Sequence, residues 1–268
     1  MALDAYLDRI GYQGAREPTD AVLRELTFRH ATTIPFENLD PFLGKPVELA
    51  PEALQRKLVQ SRRGGYCYEH NLLLKQALEA VGFDVTGLAA RVLWNGPEDR
   101  ITSRSHMLLQ VNLPDGPKVV DVGFGGMTPT GVLDLREDVE QPTPHEPFRL
   151  IRRDGDWWMQ GRVGDRWATL YRFDLQRQHP VDYEASSWFL STHASSHFTT
   201  GLIAARPVKE GRHALRNREY TFHRLGGASE RRELRDVDEV LEVLERVFDI
   251  QPPDVPQLAT RLQQLFES

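Results

Sequence analysis

The hydrophobic pattern of this chain changes period at Gly82, and that change restricts the fold more than any other feature of the sequence. Before it, apolar residues recur at helical spacing. Leu3, Leu7 and Ile10 share one face, and after the Pro18-Thr19 start signal Val22, Leu23, Leu26 and Phe28 share another. In LAPEALQRKLVQ, Pro51 suits a first helical position, and Leu54 and Leu58 follow it four residues apart. From Cys67 to Val81, an apolar stripe of Leu73, Leu74, Ala77, Leu78 and Val81 predicts a helix that Gly82 can end. Beyond Gly82 the texture turns β-branched and alternating. FDVTGLAARVLW, HMLLQVNL and KVVDVGF read as strands, the last two joined by the turn PDGP. FRLIRRDGDWWMQGRV reads as a hairpin about Asp154-Gly155, and RWATLYRF as a further strand, which together predict an antiparallel barrel or sandwich. The remainder is mixed: a helix over Tyr183 to Ser191, the polar stretch STHASSHFTTG, some strands, and a helix from Val237 to Phe248. QPPDVP then breaks the chain before a last short helix ending near Phe266.

Charge and composition exclude several functions. With 33 basic and 39 acidic residues among 268, the net charge is −6, and the basic residues come in short mixed runs. Nucleic acid is therefore not an expected partner, because phosphate contacts need a basic face. No apolar run approaches the about 18 residues that a membrane span needs, and the amino terminus carries acids rather than an apolar core. A chain with one cysteine forms no internal disulfide, so a reducing cytoplasm is the expected compartment.

That cysteine, Cys67, sits in SRRGGYCYEHN at the first turn of a predicted helix. A thiol is activated by a helix amino terminus or a nearby imidazolium, and Cys67 has the first of these by position. Gly64 and Gly65 would let the chain turn sharply and let a substrate approach the backbone. A lone cysteine is otherwise a small buried hydrophobe. A nucleophile needs a base and the base an orienter. His106 opens the strand HMLLQVNL, and Asp121 lies in the next one, where a carboxylate among apolar residues needs a donor. Paired strands could bring the two together, although register is open. Metal binding is the competing chemistry: Cys67 and His70 have C-x-x-H spacing, and His193 and His197 are four apart. Neither completes a ligand set, so no metal is expected. GFGGMT, after Asp121, lacks the lysine and helix of a phosphate-binding loop and reads as a turn whose backbone amides approach a ligand.

RRGGYCYEHN with Cys67, SHMLLQV with His106, VVDVGFGG with Asp121 and the upstream HATTIPFENLD resemble, in order and spacing, the signature set of the arylamine N-acetyltransferases. The resemblance runs from RIGYQG to SSHFTTG, and Tyr68 stands where many relatives have phenylalanine. It implies an α+β fold in three parts with a papain-like Cys-His-Asp arrangement: an amino-terminal helical bundle (1–82) carrying the nucleophile, a central antiparallel β-barrel (83–192) carrying His and Asp, and a carboxyl-terminal α/β lid (193–268). The implied reaction moves acetyl from acetyl-CoA, a co-substrate rather than a bound cofactor, through a thioester on Cys67 to an arylamine, hydrazine or N-hydroxyarylamine. His106 is the implied base and Asp121 its orienter. Phe36, Phe124, Gly125, Gly126, His197 and Phe198 are implied to line the acyl, amine and coenzyme pocket. The expected molecule is a monomer or weak homo-oligomer without nucleic-acid or membrane partners. A polyketide amide synthase that closes macrolactams, a transglutaminase-like or papain-like thiol hydrolase, and a non-catalytic domain retaining the site are the rival readings.

Overall fold

The computed structural model describes residues 2–267. Helix α1 (Leu3–Arg9) and helix α2 (Asp20–Thr33) lead to a short strand β1 (Phe36–Glu37) and one turn, α3 (Leu39–Phe42). Thr19 caps α2 by accepting from the Val22 amide at 3.4 Å. The buried face of α2 carries Thr27 and His30 alongside Leu23 and Leu26, whereas Phe28, expected on that face, is only half-buried. Helix α4 (Pro51–Leu54) starts at Pro51 as expected, but its continuation Gln55–Gln60 widens into a π-helix, with Ser61 N–H bonded to the Arg56 carbonyl five residues back. Helix α5 (Cys67–Val81) ends at Gly82, whose φ of +106° a residue with a side chain seldom adopts.

The barrel strands are β2 (Asp84–Val92), β3 (Arg104–Leu113), β4 (Gly116–Val120), β5 (Leu133–Asp134), β6 (Phe148–Arg153), β7 (Asp156–Val163) and β8 (Arg166–Phe173). They pair antiparallel in the order β5-β4-β3-β2-β8-β7-β6. Asp154 and Gly155 both take positive φ, 52° and 84°, as a two-residue turn matched to strand twist requires. Gln141 nearly closes the sheet. It exchanges backbone bonds with Phe148 on β6 (2.8 and 3.0 Å), and its side-chain amide brackets Asp134 on β5 (2.7 and 2.9 Å).

Helix α6 (Pro180–Thr192) and a single turn α7 (His197–Thr200) lead into β9 (Ile203–Val208), β10 (Gly211–Arg216), β11 (Glu219–Arg224) and β12 (Glu230–Glu233), then α8 (Val237–Arg246) and α9 (Pro256–Glu267). These four strands and β1 make a second sheet, ordered β1-β9-β10-β11-β12. Pairing of Phe36 with Ala205 and Glu37 with Ala204 ties the amino-terminal segment to this sheet.

Strand β3 is apolar on both faces, which joins barrel to helices. Leu108 packs into the barrel interior with Leu88, Val119, Phe148 and Leu170, while Met107, Leu109 and Val111 pack with Leu73, Leu74 and Leu78 of α5. Full burial of each such side chain stabilises by roughly 1.5–3 kcal/mol, so this interface fixes α5 against β3 firmly. A third cluster, including Leu202, Leu215, Val240, Leu244 and Phe248, seats α8 on the second sheet.

Candidate active site

Cys67 is the first residue of α5 and is buried, 4% exposed. Tyr66 before it is extended, and its N–H donates to the Glu69 carboxylate at 3.0 Å. Glu69 also takes Lys57 Nζ at 2.7 Å. Lys57 bridges on to Asp40 at 2.6 Å, and Arg63 pairs with Glu37 at 2.7 Å and Asp40 at 3.3 Å. This internal network locks the turn ahead of Cys67 to the 35–40 segment. The glycine pair serves the same packing, not substrate approach as the sequence suggests: a Cβ on Gly64 would lie 1.9 Å from the Pro35 carbonyl oxygen, and one on Gly65 2.6 Å from the Glu69 carboxylate. Gly123 is constrained likewise, because a Cβ there would stand 2.7 Å from Cys67 Cα. The segment after β4 therefore lies directly against the start of α5.

Asp121 is the first residue past β4 rather than a strand residue, since the ladder with β3 ends at Leu109 opposite Val120. That register puts His106 and Asp121 on the same face as diagonal neighbours. His106 Nε2 and Asp121 Oδ2 are 2.7 Å apart, with both side chains buried. The other imidazole nitrogen is free of Asp121, and the Cys67 side chain interacts electrostatically with the ring. The sulfur also contacts the Ser105 carbonyl at 3.8 Å. Burial opposes the charged imidazole, but the charge and hydrogen bond of Asp121, with Cys67 adding to them, raise its pKa from 6.5 to about 10. Burial likewise opposes the carboxylate, and His106, the Gly123 amide and Asn71 outweigh it, holding Asp121 below its ordinary 3.8. The ring is thus a cation at neutral pH, between a carboxylate and a sulfur at a helix amino terminus, where negative charge is favoured. Such an arrangement suits nucleophilic attack by sulfur followed by proton transfer through the ring.

Asn71, which no sequence motif singles out, is the joint of the site. Its Nδ2 donates to Cys67 O (3.2 Å), Met107 O (2.8 Å) and Asp121 Oδ1 (3.1 Å), and its Oδ1 accepts from Val122 N–H at 3.2 Å. Four residues after Cys67 on a helix, it lies on the same face, which is the signal that could have found it.

Phe124 stands edge-on to His106 at 5.2 Å, with Tyr171 at 4.9 Å from the ring and Trp94 at 6.4 Å from Phe124. The Tyr171 hydroxyl is buried near Asp121, so burial first, and then the Asp121 charge, push its pKa far upward. Phe36 packs near Phe198 (6.1 Å) and beneath Gly125, whose φ is +82°. Gly126 is open, with nothing within 4 Å of where a Cβ would stand. Asn38 holds Phe198 in place by bonds to Phe198 O (2.8 Å), Gly201 O (2.7 Å) and Ile203 N–H (2.7 Å). His197 is exposed and contacts only the Phe198 ring among the described aromatic groups. His193 caps the end of α6, so it and His197 do not share a helix. A surface depression of about 420 Å³ lies elsewhere, against Gly11 to Ala15 and α2.

A family model described as N-acetyltransferase matches residues 20–254. The arylamine N-acetyltransferase of Mycobacterium tuberculosis is 46% identical over 274 residues, covering 99% of this chain and 96% of that protein. The chain belongs to the arylamine N-acetyltransferase family. The structure of the Mycobacterium marinum arylamine N-acetyltransferase superposes with a TM-score of 0.95 at 44% identity, over 98% of this chain and 99% of that one. Its complex with CoA superposes at 0.94 with 44% identity, over 98% and 99%.

In this member of the arylamine N-acetyltransferase family, His70 turns away from Cys67 into the helical bundle. It belongs to a buried chain: Tyr6 OH to His30 Nδ1 at 2.9 Å, His30 Nε2 to His70 Nδ1 at 3.0 Å, and His70 Nε2 to Pro35 O at 3.1 Å. A carbonyl only accepts, so His70 Nε2 carries the proton and its neutral Nδ1 accepts from His30, which in turn accepts from Tyr6. The bonds admit one direction, with both rings neutral. Burial first, and then the neighbouring His70 ring, hold His30 well below 6.5; burial pushes His70 down to about 4. The C-x-x-H spacing is thus accounted for by packing beneath Phe36, which stacks on His70 at 6.4 Å.

Proposed function

We propose that this chain transfers acetyl from acetyl-CoA to the nitrogen of an arylamine, hydrazine or N-hydroxyarylamine in two steps through Cys67. The observation that carries the reading is the 2.7 Å His106–Asp121 bond, which leaves the ring's other nitrogen free while the Cys67 side chain interacts electrostatically with the ring. In the first step the Cys67 sulfur attacks the thioester carbonyl. The new C–S bond forms as the carbon–sulfur bond to CoA breaks, and His106 gives its proton to the departing CoA sulfur. In the second step the amine nitrogen attacks the acetyl-cysteine, His106 takes the amine proton, and the Cys67 sulfur leaves. Asp121 keeps the ring oriented and balances its charge through both steps. An aromatic wall of Phe36, Phe124, Phe198 and Trp94 fits a flat apolar amine.

The CoA complex of the Mycobacterium marinum relative supports acetyl-CoA as donor over the carrier-bound chain of an amide synthase, and a hydrolase needs no amine. The three-part division at 82 and 192 and the monomer or weak homo-oligomer belong to this proposal. So does a cytoplasmic location; among the described residues no helix is long and apolar enough to cross a membrane. Steady-state rates with acetyl-CoA and an arylamine varied together should give parallel double-reciprocal lines. Intersecting lines, which mark a ternary complex, contradict the thioester route; acetate release without amine acetylation favours the hydrolase.

A further inference from the structure

The turn from Gly125 to Thr128 lies beside the site and is closed by Thr128 N–H to Gly125 O at 3.0 Å. The N–H groups of Phe124, Gly125, Gly126 and Met127 find no acceptor among the described residues. Three of its carbonyls, those of Gly125, Gly126 and Thr128, are held in contrast. Arg212 of β10, 2% exposed, reaches across from the second sheet and donates from Nη1 to Thr128 O at 2.9 Å and Gly126 O at 3.5 Å. The same guanidinium is anchored on Glu146 Oε2 by Nε at 2.8 Å and Nη2 at 2.6 Å. The neighbouring His145 clips this loop to the β9–β10 turn, with Nε2 bonded to Val208 O at 2.7 Å and Nδ1 to Thr130 Oγ1 at 2.8 Å. Through Gly126 O the guanidinium fixes the Gly126–Met127 peptide, whose Met127 N–H points away from Arg212, whereas the peptide after Thr128 O belongs to Pro129 and has no N–H.

We infer that Arg212 and Glu146 form a positioning pair for the acyl donor, holding the 125–128 turn so that its free Met127 amide receives an amide carbonyl of the coenzyme's pantetheine arm. The inference rests on acetyl-CoA being the donor. Gly123 abuts Cys67 Cα, and three further residues carry the chain no more than about 11 Å. The turn therefore lies within reach of the arm's amides, close to the thioester, and short of the diphosphate at the arm's far end. Arg212 touches no donor atom in this scheme; it acts through the turn.

The test compares wild type with R212K and E146Q on three donors: acetyl-CoA, S-acetylpantetheine and p-nitrophenyl acetate, which has no arm. Lysine keeps the charge opposite Glu146 but cannot hold both the carboxylate and the two carbonyls. E146Q leaves Arg212 in place and loosens its anchor, so a folded variant is at hand even where R212K melts. Loss of one charge-assisted hydrogen bond predicts a rise of about tenfold in KM for both thioester donors, with little change in kcat. The ratio of kcat/KM for acetyl-CoA to that for the nitrophenyl ester falls about tenfold with it. Equal losses on all three donors would show a purely structural clamp, an unchanged KM for both thioesters would remove the role, and an effect confined to acetyl-CoA would move the contact to the nucleotide end; each overturns the inference. Wild type that takes no acetyl from acetyl-CoA would refute the proposed function instead, whatever Arg212 does.

Discussion

Replacing His70 with glutamine separates its charge from its hydrogen bonds. The amide nitrogen of glutamine can donate to Pro35 O and its oxygen can accept from His30 Nε2–H, so H70Q keeps the direction of the buried chain without a titratable ring. Burial lowers the His70 pKa from 6.5 in the unfolded chain to about 4 in the folded one. The unfolded chain then binds more protons throughout that window, so stability is whole above 6.5 and is lost as pH falls toward 4. At pH 5 the loss covers about 1.5 pH units, and at about 1.4 kcal/mol per unit that is about 2 kcal/mol from His70. Urea denaturation followed by tryptophan fluorescence at pH 7 and pH 5, each protein serving as its own reference, should show wild type losing about 2 kcal/mol more than H70Q. The residual loss in H70Q reports the other histidines that burial holds below 6.5, His30, His145, His197, His213 and His223, whose shifts have the same sign. His106 acts in the opposite direction: its raised pKa supplies stability at pH below 6.5 that is lost as pH rises toward 10. Equal acid losses in the two proteins would mean that His70 is not held neutral, and the assignment of the proton chain would fall.

Gly123→Ala should lower acetyl transfer at least tenfold, because the added Cβ, 2.7 Å from Cys67 Cα, must move backbone at the nucleophile; steady-state rates on protein shown folded by circular dichroism check this. Asn71→Ala leaves the buried Val122 N–H without an acceptor, and unfolding in urea should show a loss of about 1–3 kcal/mol. Asp121→Asn should reduce kcat by about 10⁴, as removal of the orienting carboxylate does in other triads, with far-UV circular dichroism unchanged. Retained activity in that variant would mean His106 needs no charged partner.

What could be read from the sequence was local. The helix opening at Cys67 and ending at Gly82, and the Asp154-Gly155 hairpin, depend on backbone preferences of a few adjacent residues, and the structure has them where the pattern puts them. The resemblance of the four motifs implied the other candidate site residues, though not their geometry. What the pattern missed depends on partners far along the chain. The Asn38 side chain bonds residues 160 to 165 positions away, and Arg212 meets Glu146 and Thr128 only because the second sheet folds back on the barrel. In the sequence His70 reads only as the second half of a C-x-x-H spacing and His30 carries no signal, yet the two bond each other inside the bundle. Gly64 and Gly65 were legible as glycines that matter and not for the right reason, since the atoms they make room for are Pro35 O and the Glu69 carboxylate. The π-helix at Gln55–Gln60 leaves the apolar spacing of Leu54 and Leu58 unchanged, so periodicity alone could not distinguish it from an α-helix.

The central claim is that Cys67 carries the acetyl group between donor and amine. Intact-mass analysis after incubation with acetyl-CoA and no amine, followed by peptide mapping, tests it most directly. The account predicts a single added acetyl group on the peptide containing Cys67, discharged when an arylamine is supplied. No adduct, or an acetyl group on a lysine with Cys67 unmodified, would contradict it.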